Sequence, residues 1–144
     1  MRFYDLQQTS SEATLTQGLQ AHAGLDFRPY LVQGSVSLRE QVGRGMITGN
    51  TVTCPGFYAP QGRKVRIPIR FPSLLGDLGS FHSGVFRFDN FEMESSSYFA
   101  FGRLFGHHTA SANAIIANRV TREFSGRSHE VVDKLIQAVL QNLS

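Results

Sequence analysis

The chain has 144 residues, is 41% hydrophobic and 17% charged, and carries a formal net charge of +3 with a single cysteine. That length suits one domain with a sizeable core, and the composition argues against disorder and low-complexity classes. A lone Cys54 excludes an internal disulfide framework and a thiolate metal cluster, no apolar run approaches the roughly 20 residues of a membrane span, and the opening MRFYDLQQTSSE lacks the apolar stretch of a secretory signal.

The expected setting is therefore cytoplasmic, with no membrane partner. The basic residues are scattered, so nucleic acid is not expected as a partner either, because its electrostatic footprint is a clustered patch.

In chain order, Thr9 to Ala23 reads as a helix. Thr9 and Glu12 fit a capping box, Leu15 and Leu19 share a face, and Gly24 can end it. Pro29 to Val36 reads as a strand and Ser37 to Gly43 as a short helix. Gly45 to Cys54 reads as a strand rich in Thr and Val and weakened by Gly49. Pro55 to Gly62 is a loop. Lys64 to Arg70 alternates basic and apolar residues, but Pro68 demotes it to an edge or irregular stretch. Phe71 to Ser83 has no clear pattern, and Val85 to Phe91 is a short strand.

Glu92 to Gly106 is expected to be helical, with its acids in the first turn where the macrodipole favours them and with Phe101, Leu104 and Phe105 as its buried face. His108 to Asn118 contains a buried strand around Ala114, Ile115 and Ile116. The last helix spans about Ser128 to Leu143, where Val132, Leu135, Ile136, Val139, Leu140 and Leu143 follow the helical period. This alternation of helices and strands predicts an α/β sandwich with a largely parallel or mixed sheet. Ligands in such folds sit at the carboxyl ends of strands.

Three segments fall at predicted strand ends. In Pro55–Arg63, the Gln61 amide can accept from an N–H and donate to a carbonyl, which matches the edge of a uracil-type base. Arg63 can donate to the remaining carbonyl, and Phe57 can stack on the base. The same spacing also suits a tight surface loop. In Asn90–Ser95, Glu92 and Glu94 can accept from a sugar diol and Met93 offers a soft apolar surface; the same residues suit an acidic helix start. In Ile115–Arg119, Arg119 emerges at a strand end, where it can reach a base or simply stand exposed. The adjacent His107 and His108 do not make a metal site, since neighbouring histidines rarely converge on one ion. Cys54 reads as a small buried residue, and Ser95, Ser96 and Ser97 lack a nucleophile elbow.

Together, TVTCPGFYAPQGR, NFEMESSSYFAFGRLFGH and NAIIANR, in that order, resemble the nucleoside phosphorylase family on its uridine phosphorylase side. The opening FYD…RPYLV stretch extends the resemblance over nearly the whole chain. It implies a three-layer α/β sandwich of the phosphorylase/hydrolase-like type with a mixed sheet, here incomplete, residues 1–144 forming the C-terminal part of the domain. It implies that Phe57, Gln61, Arg63 and Arg119 bind the nucleobase and that Glu92, Met93 and Glu94 hold the ribose. Purine-type relatives and the related nucleosidases carry a Ser-Asp pair where this chain has Ala117-Asn118-Arg119, which favours a pyrimidine nucleoside such as uridine.

The implied reaction is phosphorolysis of that nucleoside to base and ribose 1-phosphate, with inorganic phosphate as co-substrate and no cofactor or metal. Gln61, Arg63 and Glu94 are the expected catalytic residues, the first two stabilising negative charge as it develops on the base. No motif of converging arginines and backbone N–H groups for phosphate is present. Met1 falls about where the family's second half begins. The expected partners are an N-terminal half that brings phosphate, or further copies of the chain. The alternatives are a non-catalytic nucleoside-binding remnant or module, and an interaction protein or weak nucleic-acid binder outside the family.

Overall fold

A computed structural model describes residues 8–144. Its elements are α1 (Ser10–His22), α2 (Val36–Val42), β1 (Thr51–Thr53), α3 (Leu74–Ser80), β2 (Asn90–Glu92), α4 (Ser95–Phe105) and α5 (Ser128–Leu143), with a 3-10 turn at Ala59–Gln61. The architecture is mixed α/β, and its sheet among the described residues is a two-stranded parallel pair, β1 beside β2. Two compact units form: one from the described residues up to Gln33 with Gly49–His107, the other from Gly34–Thr48 with His108–Ser144. The FYD part of the resemblance lies outside the described residues.

In the first unit, α1 opens with the expected capping box. The Glu12 amide donates to the Thr9 hydroxyl at 3.2 Å, and the Thr9 amide donates to Glu12 Oε2 at 2.8 Å. Each bond satisfies a donor that a helix start leaves open. The Glu12 carboxylate does more than cap. Arg103 of α4 clamps it with two bonds of 2.8 and 2.6 Å, and the Gln33 amide donates to it at 3.1 Å. Glu12 is only 5% exposed. The bonds from Arg103, outweighing the cost of burial, hold its carboxyl down at about 2.

That clamp explains why Pro29–Val36 is not the expected strand. Pro29 has no N–H to give a ladder. Side chains then claim the backbone that follows: Gln8 Nε2 donates to Leu31 O at 3.0 Å, Glu12 takes the Gln33 N–H, and Arg103 donates to Gln33 O at 3.5 Å.

The strand expected over Gly45–Cys54 is confined to Thr51–Thr53. At Gly49, a Cβ would lie 2.9 Å from the Asp89 carboxylate, so a side chain closes against the backbone where a longer strand would pair. Asp89 closes the start of the ladder: its amide donates to Asn50 O at 2.9 Å, and its side-chain Oδ2 accepts from the Asn50 amide at 2.9 Å. The strand expected over Val85–Phe91 is shifted to Asn90–Glu92. Phe86 and Phe88 turn instead toward buried Phe81, with Phe81 and Phe88 stacked at 5.9 Å and Phe86 edge-on to Phe88 at 5.2 Å. Within Phe71–Ser83 lies α3, anchored by buried Leu78. Gly76 and Gly79 lower its local propensity, so packing rather than pattern sustains it.

Helix α4 starts at Ser95 rather than Glu92, and Gly106 ends it in the left-handed conformation at φ 74°. The expected buried face is corrected in two of its three residues: Leu104 is partly buried, but Phe101 and Phe105 are 58% and 61% exposed and stack on each other at 6.2 Å. The inward face carries Ser95, Phe99 and Gly102, spaced four and three apart, beside Arg103. The helix is rotated so that Arg103 reaches Glu12, and one helix cannot turn both faces inward.

In the second unit, α5 has the expected bounds. Asn142 near its end donates to Val42 O at 2.8 Å and Arg44 O at 3.0 Å, satisfying carbonyls at the open end of α2. The expected apolar stripe is only half used. Leu135 and Val139 are partly buried, whereas Val132, Ile136, Leu140 and Leu143 are exposed, because the seven-residue α2 covers only one strip of α5. The expected buried strand around Ala114–Ile116 does not form, and both isoleucines are exposed. A single antiparallel bridge joins Ala117 to Phe124. Between them the Asn118 side chain accepts from the Val120 and Thr121 amides at 2.8 and 3.2 Å. Such side-chain bonds favour a turn over a strand.

Candidate functional site

The parallel register pairs Thr53 with Glu92, so β1 and β2 end side by side. The Pro55–Arg63 loop and the Met93–Ser95 turn leave from that same sheet edge. The Cys54 amide extends the ladder by donating to Glu92 O at 2.9 Å. Two of the three segments singled out in the sequence are thus brought together by two three-residue strands.

Glu92 organises this edge. One carboxylate oxygen accepts from the Thr53 hydroxyl; the other accepts from the Glu94 and Ser95 amides, both at 2.6 Å. Thr53 Oγ1 in turn accepts from the Ser96 amide at 3.1 Å. The N–H groups at the mouth of α4 are therefore satisfied by a strand acid and a strand hydroxyl, and the negative charge sits at the positive end of the helix. Burial pushes the Glu92 carboxyl up, but the bonds from Thr53, Glu94 and Ser95 outweigh it and hold the group below its ordinary range. Tyr30 adds a brace, its hydroxyl 2.8 Å from Ser96 Oγ.

The two carboxylates of the hexapeptide consequently differ. Glu92 has three of its roughly four acceptor positions engaged. Glu94 is exposed and its side chain makes no capping bond to α4. Met93, between them, is also exposed. Glu94 and Met93 are the pair this edge presents outward.

Thr53→Val is expected to cost about 1–2 kcal/mol, the scale of a lost helix cap. It removes a donor to Glu92 and an acceptor for Ser96 at nearly constant volume. Urea unfolding of the two proteins checks this; equal midpoints would show that the Thr53 hydroxyl does not hold the α4 entrance.

In the Pro55–Arg63 loop, the Gln61 and Arg63 amides both donate to Tyr58 O, at 3.0 and 2.9 Å. Gln61 is 3% exposed. The Arg63 guanidinium lies 3.4 Å from the centre of the Phe57 ring and donates to Phe57 O at 2.6 Å. Phe57 also meets Tyr58 edge-on at 5.4 Å. Cation–ring contact and a charge-assisted bond pre-shape the loop. A base stacking on Phe57 would either use its other face or displace Arg63. The buried Gln61 would have to be reached from within the loop.

Cys54 sits at the root of the loop. Burial, with the Glu92 charge adding to it, pushes its thiol up to about 11, which leaves it a neutral, unreactive group at neutral pH. Arg119 belongs to the other compact unit, in the turn that Asn118 builds. His108, in that unit, has Nδ1 3.1 Å from Ser35 Oγ. Among the described residues, no group of three His, Cys, Asp or Glu side chains gathers to hold a metal.

Thr53 was missed by sequence reasoning, although it immediately precedes the singled-out loop; its signal is visible only once β1 and β2 are paired in register. The chain matches no family model, no curated protein and no solved structure.

Proposed function

We propose that the edge formed by Pro55–Arg63 and Glu92–Ser95 is a pyrimidine nucleoside site of the uridine phosphorylase type. The observation that carries this reading is the parallel Thr53–Glu92 register, which sets a base-type loop and a sugar-type turn at adjoining strand ends. Glu94 would accept from the ribose hydroxyls with Met93 against the sugar, while Glu92 shapes the turn that presents them. Phe57, Gln61 and Arg63 would take the base. On this reading β1 and β2 would belong to the mixed sheet of a three-layer sandwich, and a partner chain or a neighbouring copy would bring phosphate.

Phosphorolysis breaks the glycosidic bond, leaves the electron pair on the base and places phosphate on the ribose carbon. The groups named here would stabilise the departing base and orient the sugar. A non-catalytic nucleoside-binding module is the second reading. It is favoured by Gln61, which is buried, and by Glu92, already committed to three bonds.

Titration calorimetry of the chain with uridine, followed by a phosphorolysis assay with phosphate and an added N-terminal half, tests both. Uridine binding with turnover supports the enzyme. Binding without turnover supports the module. Absence of uridine binding overturns both.

A further inference from the structure

The eight residues Arg63–Arg70 carry four of the chain's fourteen basic residues and no acid, which leaves ten basic against eleven acidic residues elsewhere. The other ten basic residues are spread along the chain, and without this segment the balance would fall from +3 to −1. Of the four, Arg70 is paired with Asp26 and Arg63 is folded onto Phe57. Lys64 and Arg66 are exposed and enter no ion pair among the described residues.

The segment is not merely basic. Its backbone bends at 65–67, and Val65 and Ile67, alternating with the two cations, are 64% and 79% exposed. At its base Phe27, half-exposed, packs edge-on to Phe71 at 5.8 Å, with Arg70 over the Phe71 ring at 5.6 Å. Two aliphatic side chains at a bend, flanked by unpaired cations and rooted beside an open phenyl ring, suit a surface that is anionic outside and apolar beneath.

We infer that the Lys64–Ile67 bend docks the protein onto an anionic lipid surface. Lys64 and Arg66 lie among the headgroups, where each cation near an anionic leaflet strengthens binding about fivefold. Val65 and Ile67 enter the boundary of the acyl region, and Phe27 rests at headgroup depth, the level favoured by aromatic rings. A single-stranded nucleic acid fits less well, because it needs rings for its bases to stack on and the bend offers branched aliphatic groups. No helix among the described residues is long and apolar enough to cross a membrane; docking requires none. The inference stands apart from the nucleoside reading and uses none of that site's proposed contacts.

Cosedimentation with vesicles of phosphatidylcholine, alone or mixed with phosphatidylserine, tests it on the whole chain. The protein should pellet with the mixed vesicles, stay in solution with the neutral ones, and be released by high salt. Lys64→Gln with Arg66→Gln should lower partitioning more than tenfold. Val65→Ser with Ile67→Ser should lower it as well while preserving its salt dependence. A melting curve for each variant confirms folding. Equal pelleting with both vesicle types, no pelleting, or indifference to both double variants would overturn the inference. So would binding of a single-stranded oligonucleotide in place of the mixed vesicles.

Discussion

Arg103→Ala is expected to destabilise the protein by about 3–5 kcal/mol, the cost of stripping the partner from a buried charge. Glu12 is 5% exposed and accepts four N–H bonds, two of them from Arg103. Without the guanidinium, an ionised carboxylate stays buried on two amide donors. It must then take up a proton or open the junction of α1, α4 and the Leu31–Gln33 segment. Glu12→Gln with Arg103→Met should cost less than Arg103→Ala alone, because it removes both charges while keeping much of the volume. Urea unfolding of the three proteins checks the order; a loss below about 1 kcal/mol for Arg103→Ala would place the pair with ordinary surface bridges.

The same pair sets an acid limit. The Glu12 carboxyl lies at about 2 against an ordinary 4.5. A lowered folded-state value means the unfolded chain binds the proton more readily. The contribution is therefore complete above about 4.5 and is lost as pH falls toward 2, a difference on the order of 3 kcal/mol at about 1.4 kcal/mol per unit. Stability measured across this range should fall for the wild type and fall less steeply for Glu12→Gln.

On the proposed nucleoside reading, Arg63→Ala should lower uridine affinity in the isolated chain, and should lower kcat/KM for uridine by more than tenfold once an added N-terminal half gives turnover. One charge-assisted hydrogen bond is worth about 1.5–3 kcal/mol. The substitution also removes the contact over Phe57 and the 2.6 Å bond to its carbonyl, so a disordered loop could mimic a lost base contact. Arg63→Lys separates the two. It keeps the charge but loses the planar stacking, so it should restore part of the rate if charge on the departing base is what matters. Loop disorder alone would depress both variants equally and would alter a base-free probe such as ribose 1-phosphate binding. Unchanged kinetics in Arg63→Ala would remove Arg63 from the base site.

The sheet edge was only partly legible before folding. The Pro55–Arg63 loop and the Glu92–Ser95 turn could be picked out because amides, carboxylates, glycine and proline announce their chemistry locally. Their adjacency depended on β1 and β2, each three residues long, where period-two patterning has too few positions to register. The same brevity hid Thr53, which closes the edge against Glu92. Arg119 was expected at the end of a buried strand, but Asn118 takes two following amides into a turn instead. Apolar Ala114–Ile116 had suggested burial, yet burial needs a neighbour to pack against, and the run contains no information about one.

Local order is written in the chain itself: the Thr9–Glu12 capping box, the bounds of α5, the left-handed stop at Gly106 and the irregular course of Lys64–Arg70 each depend on residues within a turn or two of one another. The folded structure alone decided which helical face turns inward, which of two neighbouring carboxylates caps α4 and which stands open, and that Glu12, a cap by sequence, is the buried counter-charge of Arg103 ninety-one positions away. Capping and helical period are short-range hydrogen-bond geometry and can be read residue by residue. Burial and charge pairing depend on what packs opposite, and that partner exists only after the chain has closed on itself.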